Sequence, residues 1–185
     1  MASDRAAGLI GVLVSGEGSN LQALLDAGLP VAAVASNRPG VRALERAESA
    51  GVPAAAFPID DLDDRGQRDM TMANWLQEQG VRLVVCAGYM QLLTPMFLDR
   101  FRERIVNVHP SLLPEFPGAR AIDEALAAGV ETTGVTVHLV DEGLDTGPVI
   151  AQEQVPVEPR ETLAERIHAV EHRLLPEVVR ELCAH

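Results

Sequence analysis

The chain has 185 residues, 47% of them hydrophobic and 23% charged, with a formal net charge of −12. It contains no lysine, so all 15 basic side chains are arginine. This composition disfavours general nucleic-acid binding, excludes a Schiff-base lysine and leaves no apolar run long enough to span a membrane.

The length predicts one domain over residues 1–185. The start, Met1-Ala2-Ser3-Asp4-Arg5, lacks a signal-peptide pattern, which predicts a cytoplasmic protein. Cys86, inside an apolar run, and Cys183, near the end, form neither a disulfide framework nor a metal site, and no metal is expected.

Gly8 to Val14 is a near-continuous apolar run and predicts a buried parallel strand. Ser15-Gly16-Glu17-Gly18-Ser19-Asn20 follows, then a helix over Leu21 to Ala27. Strand, glycine-rich turn and helix is a phosphate-binding order, because glycines admit the anion and helix-start N–H groups point at it. It is also the order of a plain tight turn with Ser19 as N-cap. Strands are predicted over Val31 to Ala35, Ala54 to Phe57 and Val81 to Ala87. Helices are predicted over Val41 to Ala50, Arg65 to Gln79 and Thr94 to Arg102, the last with Thr94 as N-cap and Pro95 in its first turn. Pro58 to Asp64 is an acidic loop. Gly88 to Leu93 is an apolar loop suited to a flat aromatic ligand.

Ile105 to Gly118, I-V-N-V-H-P-S-L-L-P-E-F-P-G, is the centre of the chain. Asn107 and His109 share one face of a short strand and Val108 takes the other. Pro110, Pro114 and Pro117 then forbid a continued central strand or helix. A buried strand therefore carries two polar side chains into a rigid, bent loop, where ligands gather in parallel α/β sheets. After a short helix over Ala121 to Ala128, strands are predicted over Thr133 to Val140 and Val149 to Val155. Their connection is too short for a crossover helix, so they pair antiparallel. Asp145 lies on that connection, and Asn, His and Asp together suit acyl transfer. Thr162 to Leu182 is an amphipathic helix whose Glu171, His172 and Arg173 read as a solvated face. The rhythm predicts an α/β fold: a Rossmann-like three-layer sandwich with a mostly parallel, mixed central sheet.

Three stretches, N-V-H-P-S-L-L-P-E-F-P-G, H-L-V-D-E-G-L-D-T-G-P-V-I and S-G-E-G-S-N-L-Q-A-L, resemble the phosphoribosylglycinamide formyltransferase family, and the match covers nearly the whole chain. The resemblance implies the formyltransferase fold. It also implies transfer of the formyl group of 10-formyltetrahydrofolate to 5-phosphoribosylglycinamide, both small-molecule substrates, by a monomer or homodimer. By motif position, Asn107, His109 and Asp145 perform the transfer. Gly18, Ser19 and Asn20 hold the substrate phosphate, helped by Arg65, and Glu171 faces the ribose and glycinamide. Backbone at Met90, Gln91, Leu92 and Leu93, and at Val140, Asp141, Glu142, Gly143 and Leu144, holds the pterin. The Leu113-Pro114 bond is implied to be cis.

The chain departs from the family at Glu17 in the phosphate loop, at Gln91 and Glu115 where basic or neutral residues are common, and over Ala119 to Ile122. It also stops near His185, before the extension of many relatives. A formyltetrahydrofolate deformylase-like hydrolase and a non-catalytic folate- or nucleotide-binding module are the alternatives. The first relative carries an added N-terminal domain, for which the stretch before the first strand has no room. A third relative, methionyl-tRNA formyltransferase, adds a C-terminal domain and basic surface for tRNA.

Overall fold

The computed structural model describes residues 8–59 and 64–184. The expectations on Met1 to Arg5, and most of the acidic loop before residue 64, lie outside the described residues. The first half alternates strand and helix: β1 (Leu9–Val14), α1 (Ser19–Asp26), β2 (Val31–Ser36), α2 (Arg42–Ser49), β3 (Ala54–Ala56), α3 (Arg65–Glu78) and β4 (Val81–Cys86). The second half runs α4 (Pro95–Arg100), β5 (Ile105–His109), α5 (Ala121–Ala128), β6 (Thr132–Leu139), β7 (Val149–Pro156) and α6 (Leu163–Cys183).

The strands form one seven-stranded sheet in the order β3-β2-β1-β4-β5-β6-β7. Pairing is parallel from β3 to β5 and antiparallel from β5 to β7. This is the mixed sheet expected from the short β6–β7 connection. Strand alternation divides the core between two faces. Ile10, Val12 and Val14 of β1 pack with Leu21, Leu44, Ile167 and Leu175 from α1, α2 and α6, with Ile122 and Leu126 of α5 at the margin. Leu13 points the other way, toward Met72 and Leu76 of α3, Phe97 of α4 and Phe101 just beyond it. Helices thus cover both faces, giving the three layers.

Two helix bounds differ from expectation by two residues. The first helix starts at Ser19, so Ser19 lies inside it, and Gly18 is the N-cap. Gly18 has φ 75, and a Cβ there would lie 2.6 Å from Ala43 Cβ. Only glycine permits both that left-handed turn and that approach of α2. The fourth helix stops at Arg100, because Phe101 leaves helical geometry at φ −124, ψ 34.

Because β1, β4 and β5 run parallel, the loops that follow them open along one edge of the sheet. They bound a cleft of about 760 Å³.

Candidate active site

Asn107 pairs with His138 across the β5–β6 ladder, and His109 with Thr136. Cross-strand partners share a face, so this register gathers two histidines, a threonine and an amide on one side of the sheet. Asp145 joins them from the β6–β7 loop. Its φ of 53 is left-handed, an unusual backbone for a non-glycine residue and one that clusters at functional sites. Its Oδ1 accepts from Asn107 Nδ2 at 3.3 Å and its Oδ2 lies 3.4 Å from His109 Nδ1. Asp145, more than thirty residues further along the chain, therefore meets Asn107 and His109 as their residue types suggested.

The ring nitrogens of both histidines have distinct partners. His138 Nδ1–H donates to Leu139 O at 2.8 Å, so Nε2 is the nitrogen that faces the site. Nε2 lies 3.2 Å from Asn107 Nδ2 and 3.6 Å from Asp145 Oδ1. His109 Nε2–H donates to Phe116 O at 2.8 Å, so Nδ1 is the nitrogen that faces Asp145. Burial pushes the Asp145 carboxyl up. The His138 hydrogen bond, the Gly118 N–H at 2.8 Å and the two histidine charges outweigh it and hold the carboxyl below its ordinary range.

The proline loop is clamped over these groups. Thr136, fully buried, donates its hydroxyl to Ser111 O at 2.7 Å and accepts from Leu113 N at 3.1 Å. Gln152 Nε2 bonds both Leu113 O and Thr136 Oγ1 at 2.9 Å. The Leu113-Pro114 bond is cis, as the resemblance implied. Beneath the loop, a Cβ on Gly134 would lie 2.1 Å from Glu153 O and 2.5 Å from Leu112 Cδ2. Absence of a side chain there is what lets the loop lie flat on the sheet.

Gly18, Ser19 and Asn20 line one end of the cleft together with His168 and Glu171 of α6. Glu171 is only 4% exposed. This corrects its reading as part of a solvated face: the helix turns Glu171 onto α1, while Arg173 stays outside and pairs with Glu153 at 2.5 Å. Asn20 Nδ2 donates to Glu171 Oε2 at 3.3 Å, and Asn20 Oδ1 is buried without a protein partner. Glu17, whose side chain is 73% exposed, lies 3.5 Å from Arg42.

At the other end, Met90, Gln91, Leu92 and Leu93 line the cleft with Val140, Asp141, Gly143 and Leu144, but Glu142 does not. Met90, Leu92 and Leu144 are at least half exposed there. Arg65 is not brought to the glycine loop: it does not line the cleft, and its Nη2 donates to Leu92 O at 2.6 Å. Helix α3 starts at Arg65 and packs against α4, so its first turn faces the Met90–Leu93 loop. A buried Arg68–Asp69 pair holds the same loop. Arg68 Nη2 donates to Gln91 Oε1 at 2.6 Å, and Asp69 Oδ2 accepts from Thr94 N at 2.8 Å.

A family model described as formyl transferase matches residues 9–179. The chain belongs to the formyl transferase family. Phosphoribosylglycinamide formyltransferase of Mycobacterium tuberculosis is 46% identical over 182 residues, which cover 94% of this chain and 84% of that protein. Glycinamide ribonucleotide transformylase 1 from Geobacillus kaustophilus has a TM-score of 0.92 and 45% identity, over 96% of this chain and 99% of that one. Trifunctional purine biosynthetic protein adenosine-3 of Chironomus tentans is 41% identical over 182 residues, 92% of this chain but 13% of that protein's length.

Sequence reasoning missed several groups of this formyl transferase. His138 carries a readable signal, because V-T-V-H alternates as N-V-H does and antiparallel pairing sets it against Asn107. Thr136 and Gln152 needed the register. Arg68, Asp69 and His168 sit on helices whose patterns do not separate them from solvated neighbours. Among the described residues, no helix is long and apolar enough to cross a membrane.

Proposed function

We propose that this formyl transferase moves the formyl group of 10-formyltetrahydrofolate to the amine of 5-phosphoribosylglycinamide, in purine biosynthesis. The observation that carries this reading is the convergence of Asn107, His109 and Asp145 between a glycine loop and two apolar loops of one cleft. Phosphate at Gly18 to Asn20 and pterin between the Met90–Leu93 and Val140–Leu144 loops place the amine and the formyl carbon at the centre.

The amine attacks the formyl carbon, a C–N bond forms, and the carbonyl electrons move to oxygen. Asn107 Nδ2 and His109 Nε2 are the donors to that oxygen, each displacing a bond to a protein acceptor. One such donor is worth roughly 3–4 kcal/mol in the transition state. Asp145 balances the charge on His109 and passes the amine proton, through water, toward the folate N10. The C–N10 bond then breaks, leaving formylated ribotide and tetrahydrofolate.

The test is incubation with 10-formyltetrahydrofolate, with and without the ribotide. Tetrahydrofolate should form only with the acceptor. Equal formation without it would identify a hydrolase, and tight folate binding without turnover would identify a binding module.

A further inference from the structure

One hydroxyl ties together the loops that follow β1, β2 and β4. The register sets Val14 opposite Ser36 of β2 and Leu13 opposite Cys86 of β4, so Ser15 leaves the sheet between both neighbours. The β1–β4 ladder makes one more bond, from Ala87 N–H to Leu13 O at 2.9 Å. Gly88 then turns the chain off the sheet at φ 76. Past that turn Met90 N–H donates to a side chain, Ser15 Oγ, at 2.9 Å. Ser15 is 3% exposed, and its hydroxyl donates to Asn37 Oδ1 at 2.6 Å. A hydroxyl has one proton and two lone pairs. With its proton given to Asn37, Ser15 has none for a phosphate, which needs donors. What it offers is an oxygen, aimed by Asn37 at the Met90 N–H.

We propose that Ser15, although it opens the glycine turn, is a positioning residue for the folate: it fixes the start of the Met90–Leu93 loop, with Asn37 as its support. This rests on the placement of the pterin given above. Ser15 and Met90 line the cleft, and so does Arg38, but Asn37 does not. Asn37 therefore acts on the cleft through Ser15. The rest of the pterin loop has separate holds on α3, Arg65 on Leu92 O and Arg68 on Gln91 Oε1. The glycine turn has its own as well: Gly16 O accepts from Ala43 N–H at 3.0 Å, and Glu17 O from Arg46 Nε at 2.8 Å. Without the Ser15 oxygen, Met90 N–H turns to water and the first residue of the pterin loop loses its place. The ribotide end, held from α2, stays as it is.

The test compares the wild type with Ser15→Ala, Asn37→Ala and the double variant. Tetrahydrofolate affinity, by calorimetry, should weaken about fivefold in Ser15→Ala, the scale of one hydrogen bond, and the folate KM should rise with it. The ribotide KM should stay level. Asn37→Ala should weaken folate binding by a smaller factor, and should add nothing in the Ser15→Ala background. Hydrogen exchange at the Met90 amide should quicken in Ser15→Ala, while the Ala87 amide, bonded to Leu13 O, stays protected. Equal rises in both Michaelis constants, additive losses in the cycle or unchanged exchange at Met90 overturns the proposal. Faster exchange at Ala87 as well would assign Ser15 to the fold alone and overturn it too. Calorimetry and exchange need no turnover, so absence of transfer to the ribotide would sink the functional reading and leave both standing. A wild type that does not bind tetrahydrofolate would overturn both.

Discussion

Asp145 lies within 3.6 Å of two histidines at once, so its removal should disturb more than one proton. Asp145→Asn keeps the shape but takes away the charge that faces His109 Nδ1 at 3.4 Å. Turnover should fall by about a hundredfold or more, with both Michaelis constants nearly unchanged, as for a group that stabilises charge present only in the transition state. In a double-mutant cycle with His109→Asn, the two losses should be strongly non-additive, because the residues form one unit. Additive losses in activation free energy would leave Asp145 as an independent proton carrier. Residue type, with a strand end and a separate loop, suggested this trio beforehand, and the family resemblance supplied its roles. His138 was missed although its strand alternates as N-V-H does, because setting it against Asn107 takes the β5–β6 register.

Elements place these residues, and the proline loop shows how. It has no regular ladder of its own, so Thr136 and Gln152 satisfy its buried backbone groups instead. Thr136→Val keeps the volume and strands Leu113 N–H and Ser111 O. Urea unfolding should show a loss of about 1–3 kcal/mol, with kcat reduced because Phe116 O and Gly118 N–H ride on that loop. Unchanged stability would show that water replaces the hydroxyl. The α3 start gives a second case. Arg65→Ala should raise the folate KM several-fold and leave the ribotide KM alone, since the guanidinium holds the Met90–Leu93 loop. An equal rise in the ribotide KM would return Arg65 to the phosphate. Local sequence located α3 within a residue, yet not what its first turn faces: that depends on how α3 and α4 pack, which no local pattern contains.

At the scale of the whole molecule, a net charge of −12 surrounds a cleft that takes two anions in the proposed reaction. Long-range repulsion and short-range capture should then respond oppositely to salt. Lengths of roughly 30 Å at 0.01 M and 10 Å at 0.1 M set the range of the repulsion, while contacts inside the cleft are screened much less. Over that interval kcat/KM for the ribotide should rise or hold level, measured against sodium chloride at fixed pH. A steep fall would mean that Arg38 and Arg120 at the cleft rim steer the substrate in. The sheet's layered plan was readable from strand–helix rhythm, and its mixed pairing from one short connection. Charge placement was not, because a count says nothing about which wall a carboxylate occupies.

The flat seat of the proline loop on β6 also has a genetic meaning. At Gly134 the space above the strand is taken by Leu112 and the space beside it by Glu153 O, so a hydrogen atom is the largest substituent the site admits. Every missense change of that codon adds at least a methyl group, which must push either the loop away from His109 or β7 away from β6. Position 134 does not line the cleft, yet packing closes it to any side chain, while Glu17, exposed within the glycine loop itself, meets no such limit. Distance from the chemistry is therefore a poor guide to which alleles of this gene a cell dependent on it can carry.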